Sequence, residues 1–145
     1  MIERVYDEAK ITPIVMTMFD DMVEDDTRIE CFDLDVNRDC WLSIDDYKAL
    51  FHVSPFNRTT LNIHCYVTKG NRVNAVNYGK EAVKWVKENA PSMYKKLITQ
   101  TPFRHIKIYV LKLGFELEGV YKKAFTKGGE QIDLSLFGLD IGSIK

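Results

Sequence analysis

The sequence predicts a single α/β domain built around a mixed sheet. Apolar residues recur at helical spacing in three segments, and short runs rich in β-branched and aromatic residues lie between them. No internal repeat, low-complexity tract or linker interrupts this order. The chain has 145 residues, 46% hydrophobic and 28% charged, which is enough for one compact core and excludes a disordered or fibrous protein.

The first predicted element is a helix, indicated by an apolar period between residues 11 and 23. Its apolar residues recur every three or four positions, at Ile11, Ile14, Val15, Met18, Phe19, Met22 and Val23. We expect Thr12 to be the N-cap and Pro13 the first helical residue, where a missing N–H group is tolerated. The acidic residues 24–26 are expected to end the helix.

Three strands are predicted next, over residues 40–44, 47–53 and 59–67. Each is a short run of β-branched and aromatic residues. The first two are separated by a hairpin-like turn at Asp45 and Asp46. The second and third are separated by a slightly longer loop over residues 54–58.

A second helix is predicted over residues 73–89. Its apolar side consists of Ala75, Tyr78, Ala82, Val83, Trp85 and Val86. Pro91 closes this helix, and residues 96–100 then read as a strand. A third helix should start at Thr101 and Pro102 and end at Gly114, so that a strand-helix-strand crossover is implied.

Two strands, over residues 115–125 and 131–137, complete the predicted order. They are joined by a glycine-rich hairpin turn over residues 127–130. The whole order is one helix, three strands, a helix, a strand, a helix and two strands, which gives about six strands in one mixed sheet.

Charge and cysteine content exclude several functional classes. Twenty basic and twenty-one acidic side chains give a net charge of -1, so no strong electrostatic attraction to nucleic acid or to an anionic membrane is expected. The apolar runs are short and the N-terminus has no apolar signal core, which predicts a cytoplasmic protein. Cys31, Cys40 and Cys65 show no CxxC spacing, so they are expected to be reduced thiols.

Two segments near the C-terminus carry a family resemblance. Together with the element order, residues 112–120 (KLGFELEGV) and 129–133 (GEQID) resemble the GNAT N-acetyltransferase superfamily, with the RimJ/RimL-like branch nearest. The likeness covers residues 38–140, and residues 1–30 form an N-terminal helical part of the same domain. A second pattern is similar to small GNAT-like proteins of tailed bacteriophages; it comprises residues 62–66, 69–72 and 81–85.

This resemblance implies a fold and an activity. The fold would be the GNAT fold, a mixed and mostly antiparallel sheet whose splayed central strands hold acetyl-coenzyme A. The activity would be acetyl transfer to a primary amine on a protein N-terminus, a lysine or a small molecule. The alternative is a phage-encoded GNAT-like protein without coenzyme A binding that serves as an assembly, virion-associated or host-interaction module.

The resemblance also implies cofactor-binding residues. A pyrophosphate needs converging backbone N–H groups at a helix N-terminus. The family motif [R/Q]xxGx[G/A] falls on Asn74, Asn77 and Gly79, of which only the last keeps a small residue. Lys69 and Arg72 lie just upstream and could pair with phosphate. The predicted cofactor-binding residues are Cys65, Tyr66, Val67, Arg72, Asn74, Asn77, Tyr78 and Gly79.

Candidate catalytic residues come from the same comparison. His64 lies where many relatives carry a glutamate base, and imidazole titrates near neutral pH. A packed, structural histidine remains the alternative at this position. The family's acidic tyrosine would align with Val110, so Tyr109, one place away, is the candidate acid. The acceptor amine is expected near the predicted 54–58 loop, which contains Phe56, Asn57 and Arg58.

No metal site is predicted. No pair among His52, His64, His105 and the cysteines has local metal-ligand spacing. Residues 33–39 resemble the start of a calcium loop, but Arg38 replaces the required glycine and Ile44 the required glutamate. A homodimer through the edge strands of the C-terminal hairpin is left open.

Overall fold

A computed structural model describes residues 1–28 and 32–145. Within these residues, seven strands and three α-helices follow one another along the chain. They are β1 (Ile2–Val5), α1 (Glu8–Met22), β2 (Cys40–Ile44), β3 (Ala49–Pro55), β4 (Thr60–Val67), α2 (Ala75–Asn89), β5 (Lys96–Thr101), α3 (Arg104–Lys112), β6 (Glu116–Lys127) and β7 (Glu130–Asp140). Short 3₁₀ segments at Lys69–Asn74 and Ile141–Ser143 precede α2 and follow β7.

All seven strands belong to one sheet with the order β1-β2-β3-β4-β5-β7-β6. Every neighbouring pair is antiparallel except β4 and β5, which run parallel across the α2 crossover. The predicted α/β class and the mixed, mostly antiparallel sheet are therefore confirmed. The strand count is seven rather than about six, because β1 pairs with β2 through Ile2 and Ile44. With only four residues, β1 is too short to show a period.

The sheet is covered on both faces, and each face has its own core. On one face, which we call the α1 face, Ile11 and Val15 of α1 pack in a cluster with Trp41, Leu50 and Tyr66 of the sheet. The opposite face, the α2 face, carries the larger cluster, which includes Leu42, Phe51, Ile63, Tyr78, Ala82, Val86, Val110 and Phe137. Alternation along each strand thus assigns neighbouring side chains to opposite faces.

The predicted start of α1 is wrong. The helix begins at Glu8, and its N-cap is Asp7, whose side chain accepts the Ala9 N–H group at 3.0 Å. Pro13 consequently lies inside the helix rather than at its first position. An internal proline costs about 3 kcal/mol, whereas burying a side chain such as Ile11 or Val15 contributes about 1.5–3 kcal/mol each. Packing on the sheet therefore outweighs the local preference.

Two further boundaries differ from the sequence expectation. The turn after β2 extends to Tyr47, since Asp45, Asp46 and Tyr47 all have positive φ, and β3 accordingly starts at Ala49. Helix α3 starts at Arg104, and the Thr101 hydroxyl accepts the Phe103 N–H group instead of capping the helix directly.

The predicted end of α3 at Gly114 is confirmed, because this glycine has φ +100°. Within the described ranges, none of the helices is both long and apolar enough to cross a bilayer.

Candidate functional site

The central strands β4 and β5 separate along their length. They pair only through Thr60, Leu61 and Asn62 of β4, whose partners are Lys96, Leu97 and Ile98. Beyond this point β4 stays paired with β3 as far as Val67, and β5 stays paired with β7 as far as Thr101. The backbone of β4 over residues 63–67 therefore presents its other edge to an opening, which we call the β4–β5 gap. The predicted splay of the central strands is confirmed.

On the α2 face the gap is bordered by Tyr109 of α3 and Cys65 of β4. The Tyr109 hydroxyl donates to the carbonyl oxygen of Ala75 at 3.0 Å and lies 3.7 Å from Cys65 Sγ. Burial, with Cys65 nearby, raises the pKa of Tyr109 above its ordinary value, and burial raises the pKa of Cys65 to about 12. Both groups hence keep their protons at neutral pH, and Tyr109 can act as a hydrogen-bond donor.

Gly79 has a packing role that the sequence interpretation did not contain. A Cβ atom at this position would lie 2.5 Å from Tyr109 Oη and 2.6 Å from Leu113 Cδ2. These distances are well below any van der Waals contact, so α2 and α3 approach each other closely only because residue 79 is glycine. The glycine thereby helps to position the Tyr109 hydroxyl beside β4.

The segment after β4 is helical from Lys69 onward and continues without a break into α2. Thr68 precedes the 3₁₀ segment Lys69–Asn74, which leads directly into α2. Asn77 and Gly79 therefore lie in the first turns of α2, downstream of the loop, and Asn74 makes no side-chain cap. The amides that such a helix start leaves unpaired are those of Lys69 and Gly70. The assignment of Asn77 and Gly79 to a pyrophosphate stays a prediction.

A groove lies between this segment and α1. Its volume is about 510 Å³, and it is lined by Pro13, Ile14, Thr17, Met18, Asp21, Thr68, Lys69 and Arg72. Lys69 and Arg72 are exposed, and neither forms an ion pair among the described side chains. The groove thus offers two free cations at the carboxyl end of β4, where the β4–β5 gap opens. The α1 wall of this groove had no signal in the sequence.

On the α1 face, His64 lies directly opposite His52 of β3. Burial, with His52 nearby, lowers the pKa of His64 to about 4, so this imidazole is neutral at physiological pH. His52 Nε2 lies 2.8 Å from a carboxylate oxygen of Asp39, whose side chain is only 4% exposed. Neither Asp39 nor His52 had been predicted to belong to the site. The hairpin register, which places His52 and His64 on one face, was the available signal.

The predicted acceptor residues lie in the β3–β4 turn. Phe56 is 61% exposed, and its N–H group donates to the Thr60 carbonyl at 2.9 Å. The Asn57 side chain accepts the Thr59 N–H group at 3.0 Å, which holds the turn. Together with Arg58, these residues are at the end of β4 where β4 and β5 are still paired, away from the open end of the gap. Their contact with an acceptor stays a prediction.

The β6–β7 turn is tied to the end of α1 by a set of contacts that we call the clasp. The Asp25 carboxylate accepts the Gly128 and Gly129 N–H groups at 3.1 and 2.8 Å, and these bonds lower the pKa of Asp25. The Lys127 ammonium donates to the Val23 carbonyl at 2.8 Å, near the negative end of the α1 dipole. The clasp thus joins the end of α1 to the β6–β7 hairpin.

The calcium-like segment is instead a capped turn. The Asp35 side chain accepts the N–H groups of Asn37 and Arg38, each at 3.0 Å, while Asp33 and Asp39 pair with the Arg38 guanidinium. Among residues 1–28 and 32–145, no group of three or more potential ligands is placed to hold a metal ion. Cys40 and Cys65 are free thiols, and Cys31 lies outside the described residues.

Similar folds occur among solved structures, whereas no family model and no curated protein matches the sequence. An acetyltransferase of the GNAT family from Streptococcus pneumoniae has a TM-score of 0.76 at 15% identity, with 98% of this chain and 99% of that chain covered. The protein yncA of Salmonella typhimurium, solved with its cofactor acetyl-CoA, gives 0.74 at 14% identity, with 97% and 93% covered.

A spermidine N-acetyltransferase from Vibrio cholerae also has a TM-score of 0.74, at 9% identity, with 99% of this chain and 96% of that chain covered. These similarities extend over nearly the whole chain. At such low identities they establish the architecture alone. The chain therefore has the fold of the GNAT-family acetyltransferases.

Proposed function

We propose that the protein binds acetyl-coenzyme A in the β4–β5 gap and transfers the acetyl group to a primary amine. The observation that carries this proposal is the free edge of β4 over residues 63–67. Unpaired backbone groups in a sheet interior are costly unless a ligand or water satisfies them. An extended arm with amide groups, such as pantetheine, can pair with such an edge as an added strand would.

The groove beyond β4 fits the phosphate end of the cofactor. Lys69 and Arg72 supply two positive charges, and the amides of Lys69 and Gly70 point out from a helical start. Charge-assisted hydrogen bonds from these groups would neutralise a pyrophosphate. Asp21 on the α1 wall is exposed and stays solvated, so it opposes the anion only weakly.

The residues around the gap can perform the steps of acyl transfer. When bound, acetyl-coenzyme A supplies the acetyl group as a thioester. A β4 backbone N–H group facing the gap polarises the thioester carbonyl, as an oxyanion donor does. His64, neutral at physiological pH, can take a proton from the incoming ammonium. Tyr109 keeps its hydroxyl proton, which it donates to the Ala75 carbonyl in this structure and can redirect toward the departing sulfur.

Calorimetric titration with acetyl-coenzyme A tests the proposal. We expect micromolar binding by the wild type, and at least a tenfold weaker dissociation constant for Lys69→Glu/Arg72→Glu, which reverses both groove charges. The matched control is Lys80→Glu, an exposed position on α2 outside the groove. Asn77→Glu tests whether the pyrophosphate lies in the groove beside Lys69 and Arg72 or against the first turn of α2. It should weaken binding only if the pyrophosphate lies against the first turn of α2.

A second candidate function is an interaction module without transferase activity. It is favoured by one observation: Asn77 and Gly79 are part of a continuous helix, and the space beside Gly79 is filled by Tyr109 and Leu113. If the wild type binds no acetyl-coenzyme A, the transferase proposal is overturned. The interaction module, including the phage-type roles considered above, is then the function that remains.

A further inference from the structure

Three rings form a row across the α1 face of the sheet and end at the β4–β5 gap. Trp41 of β2 stacks on His52 of β3, with ring centroids 4.3 Å apart and planes within 8° of parallel. His52 in turn faces His64 of β4, with ring centroids 6.3 Å apart. His64 is two residues beyond Asn62, the last β4 residue paired with β5. The His64 ring is thus the member of the row closest to the gap.

The middle ring of this row, His52, contacts a buried carboxylate, that of Asp39. Burial alone would raise the pKa of Asp39, but hydrogen bonds from Arg38 and His52 hold it below its ordinary value. Asp39 is consequently ionised and can only accept hydrogen bonds, so His52 Nε2 carries a proton. In neutral His52 the other ring nitrogen, Nδ1, then has a free lone pair.

His64 alone is poorly matched to an amine base. A base works best when its pKa is near the operating pH, and the pKa of His64 is about 4. A proton taken from an ammonium would therefore leave His64 again at once. His52 is the next ring along the row, and its Nε2 lies 2.8 Å from the Asp39 carboxylate, which orients it.

We propose that His52, oriented by Asp39, receives the proton of the amine substrate through His64. The inference rests on the proposed function, since it adds a proton path to the same site. One ammonium N–H bond breaks, and its proton moves to one ring nitrogen of His64. The opposite ring nitrogen of His64 releases its proton to His52 Nδ1 through one bridging water.

The second proton of the amine nitrogen goes to the leaving thiolate. The neutral amine nitrogen bonds to the thioester carbon, the carbon–sulfur bond breaks, and the second nitrogen proton neutralises the thiolate by way of Tyr109. His52, 13% exposed, then returns the first proton to solvent. His64 is the residue that touches the amine, whereas His52 and Asp39 act through it.

Charged groups of both signs surround His52. The Asp39 carboxylate contacts its ring, and the Arg38 guanidinium pairs with Asp39. Arg4 of β1 donates to the Asp39 carbonyl at 3.5 Å and adds a second positive charge nearby. On the β4 side His64 stays neutral, and on the β2 side Trp41 contributes only its ring. Asp39 is therefore the only anion among the described groups in contact with His52.

Two amines of different basicity test the relay. n-Butylamine resembles a lysine side chain, with a pKa of about 10.4, and must lose a proton before attack. Hydroxylamine is already unprotonated at neutral pH and needs no relay. With acetyl-coenzyme A as donor, we expect His52→Gln to lose about 100-fold in kcat/KM on n-butylamine and to keep its rate on hydroxylamine. His105→Gln, an exposed histidine on α3, is the matched control.

Asp39→Asn provides an independent readout. Without the carboxylate, the His52 ring loses the partner that orients it, so Asp39→Asn should lose rate on n-butylamine and keep its rate on hydroxylamine. A purely structural pair would change stability and affect the rates on both amines equally. Calorimetric titration of each variant with acetyl-coenzyme A confirms that the site is intact.

The rates on the two amines distinguish failure of the relay from failure of the transferase function. Equal rates for wild type and His52→Gln on both amines, or equal losses on both, would overturn the relay and leave the transferase function standing. A wild type that acetylates hydroxylamine and not n-butylamine would also overturn it, because no proton would then need a path. A wild type that binds no acetyl-coenzyme A would overturn the transferase function, and the relay with it.

Discussion

Substitution of Gly79 by alanine tests whether α2 and α3 meet as closely as the structure indicates. The added methyl group would lie 2.5–2.7 Å from Tyr109 Oη and both Leu113 methyl groups, so these side chains must move. Overpacking of this kind costs about 1–3 kcal/mol. Loss of the Tyr109–Ala75 hydrogen bond adds about 0.5–1.5 kcal/mol. The higher helix propensity of alanine offsets about 1 kcal/mol of this loss in stability.

The net expectation for Gly79→Ala is a loss of about 2 kcal/mol in the free energy of unfolding, or about 4–8 °C in Tm for a chain of this size. Urea denaturation and thermal melting followed by circular dichroism measure both. The matched control is Gly142→Ala, where an added Cβ meets nothing within 4 Å.

A double variant isolates the closest contact. Gly79→Ala combined with Tyr109→Phe removes the hydroxyl oxygen that the methyl group would strike, so the two effects should be less than additive. An increase in stability of about 1 kcal/mol for Gly79→Ala alone would be the ordinary result for a glycine in a helix. That result would refute the close approach of α2 and α3.

Three further predictions concern titration and reactivity. Because the folded-state pKa of Asp25 is depressed, the clasp should be intact above the ordinary carboxyl range and should open as the pH falls below that range and through the depressed pKa. A smaller hydrogen-exchange protection factor at Gly129 in acid would show this, and an unchanged protection factor would refute it. Cys65, with a pKa of about 12, should resist iodoacetamide in the folded protein and react after denaturation, which mass spectrometry can follow; rapid reaction of the folded thiol would contradict its burial. Since burial lowers the pKa of His64 from 6.5 to about 4, the free energy of unfolding should fall by about 3 kcal/mol as the pH falls from 6.5 to about 4. Urea denaturation of His64→Gln should depend less on pH over this range than that of the wild type, and identical pH dependences would refute the shift.

Local sequence signals predicted most of the elements. The helix over residues 73–89, the strand over 40–44 and the glycine end of α3 followed from spacing and turn residues that act within a few positions. The start of α1 did not, because Pro13 and Thr12 imitate a helix start while the burial of Ile11 extends the helix upstream. Such burial depends on the sheet and cannot be read locally.

The parts of the site that depend on distant residues were beyond the sequence. The clasp joins Asp25 to glycines more than 100 positions away, and the α1 wall of the groove meets Lys69 across the fold. Asp39 was recognised only as part of a failed calcium pattern, since its contact with His52 depends on the path of the chain before β2. The splay itself was expected from the family resemblance alone, because no local pattern encodes where two parallel strands part.

The central claim is that the free edge of β4 binds the cofactor. Its most direct test is two-dimensional NMR of the backbone amides while acetyl-coenzyme A is added. We predict that alternate amides over residues 63–67 shift and become protected from hydrogen exchange, because those facing the gap gain hydrogen-bond partners. Amides of Thr60–Asn62, already paired with β5, should not change. Unchanged amides over residues 63–67 in the presence of saturating acetyl-coenzyme A would contradict the account.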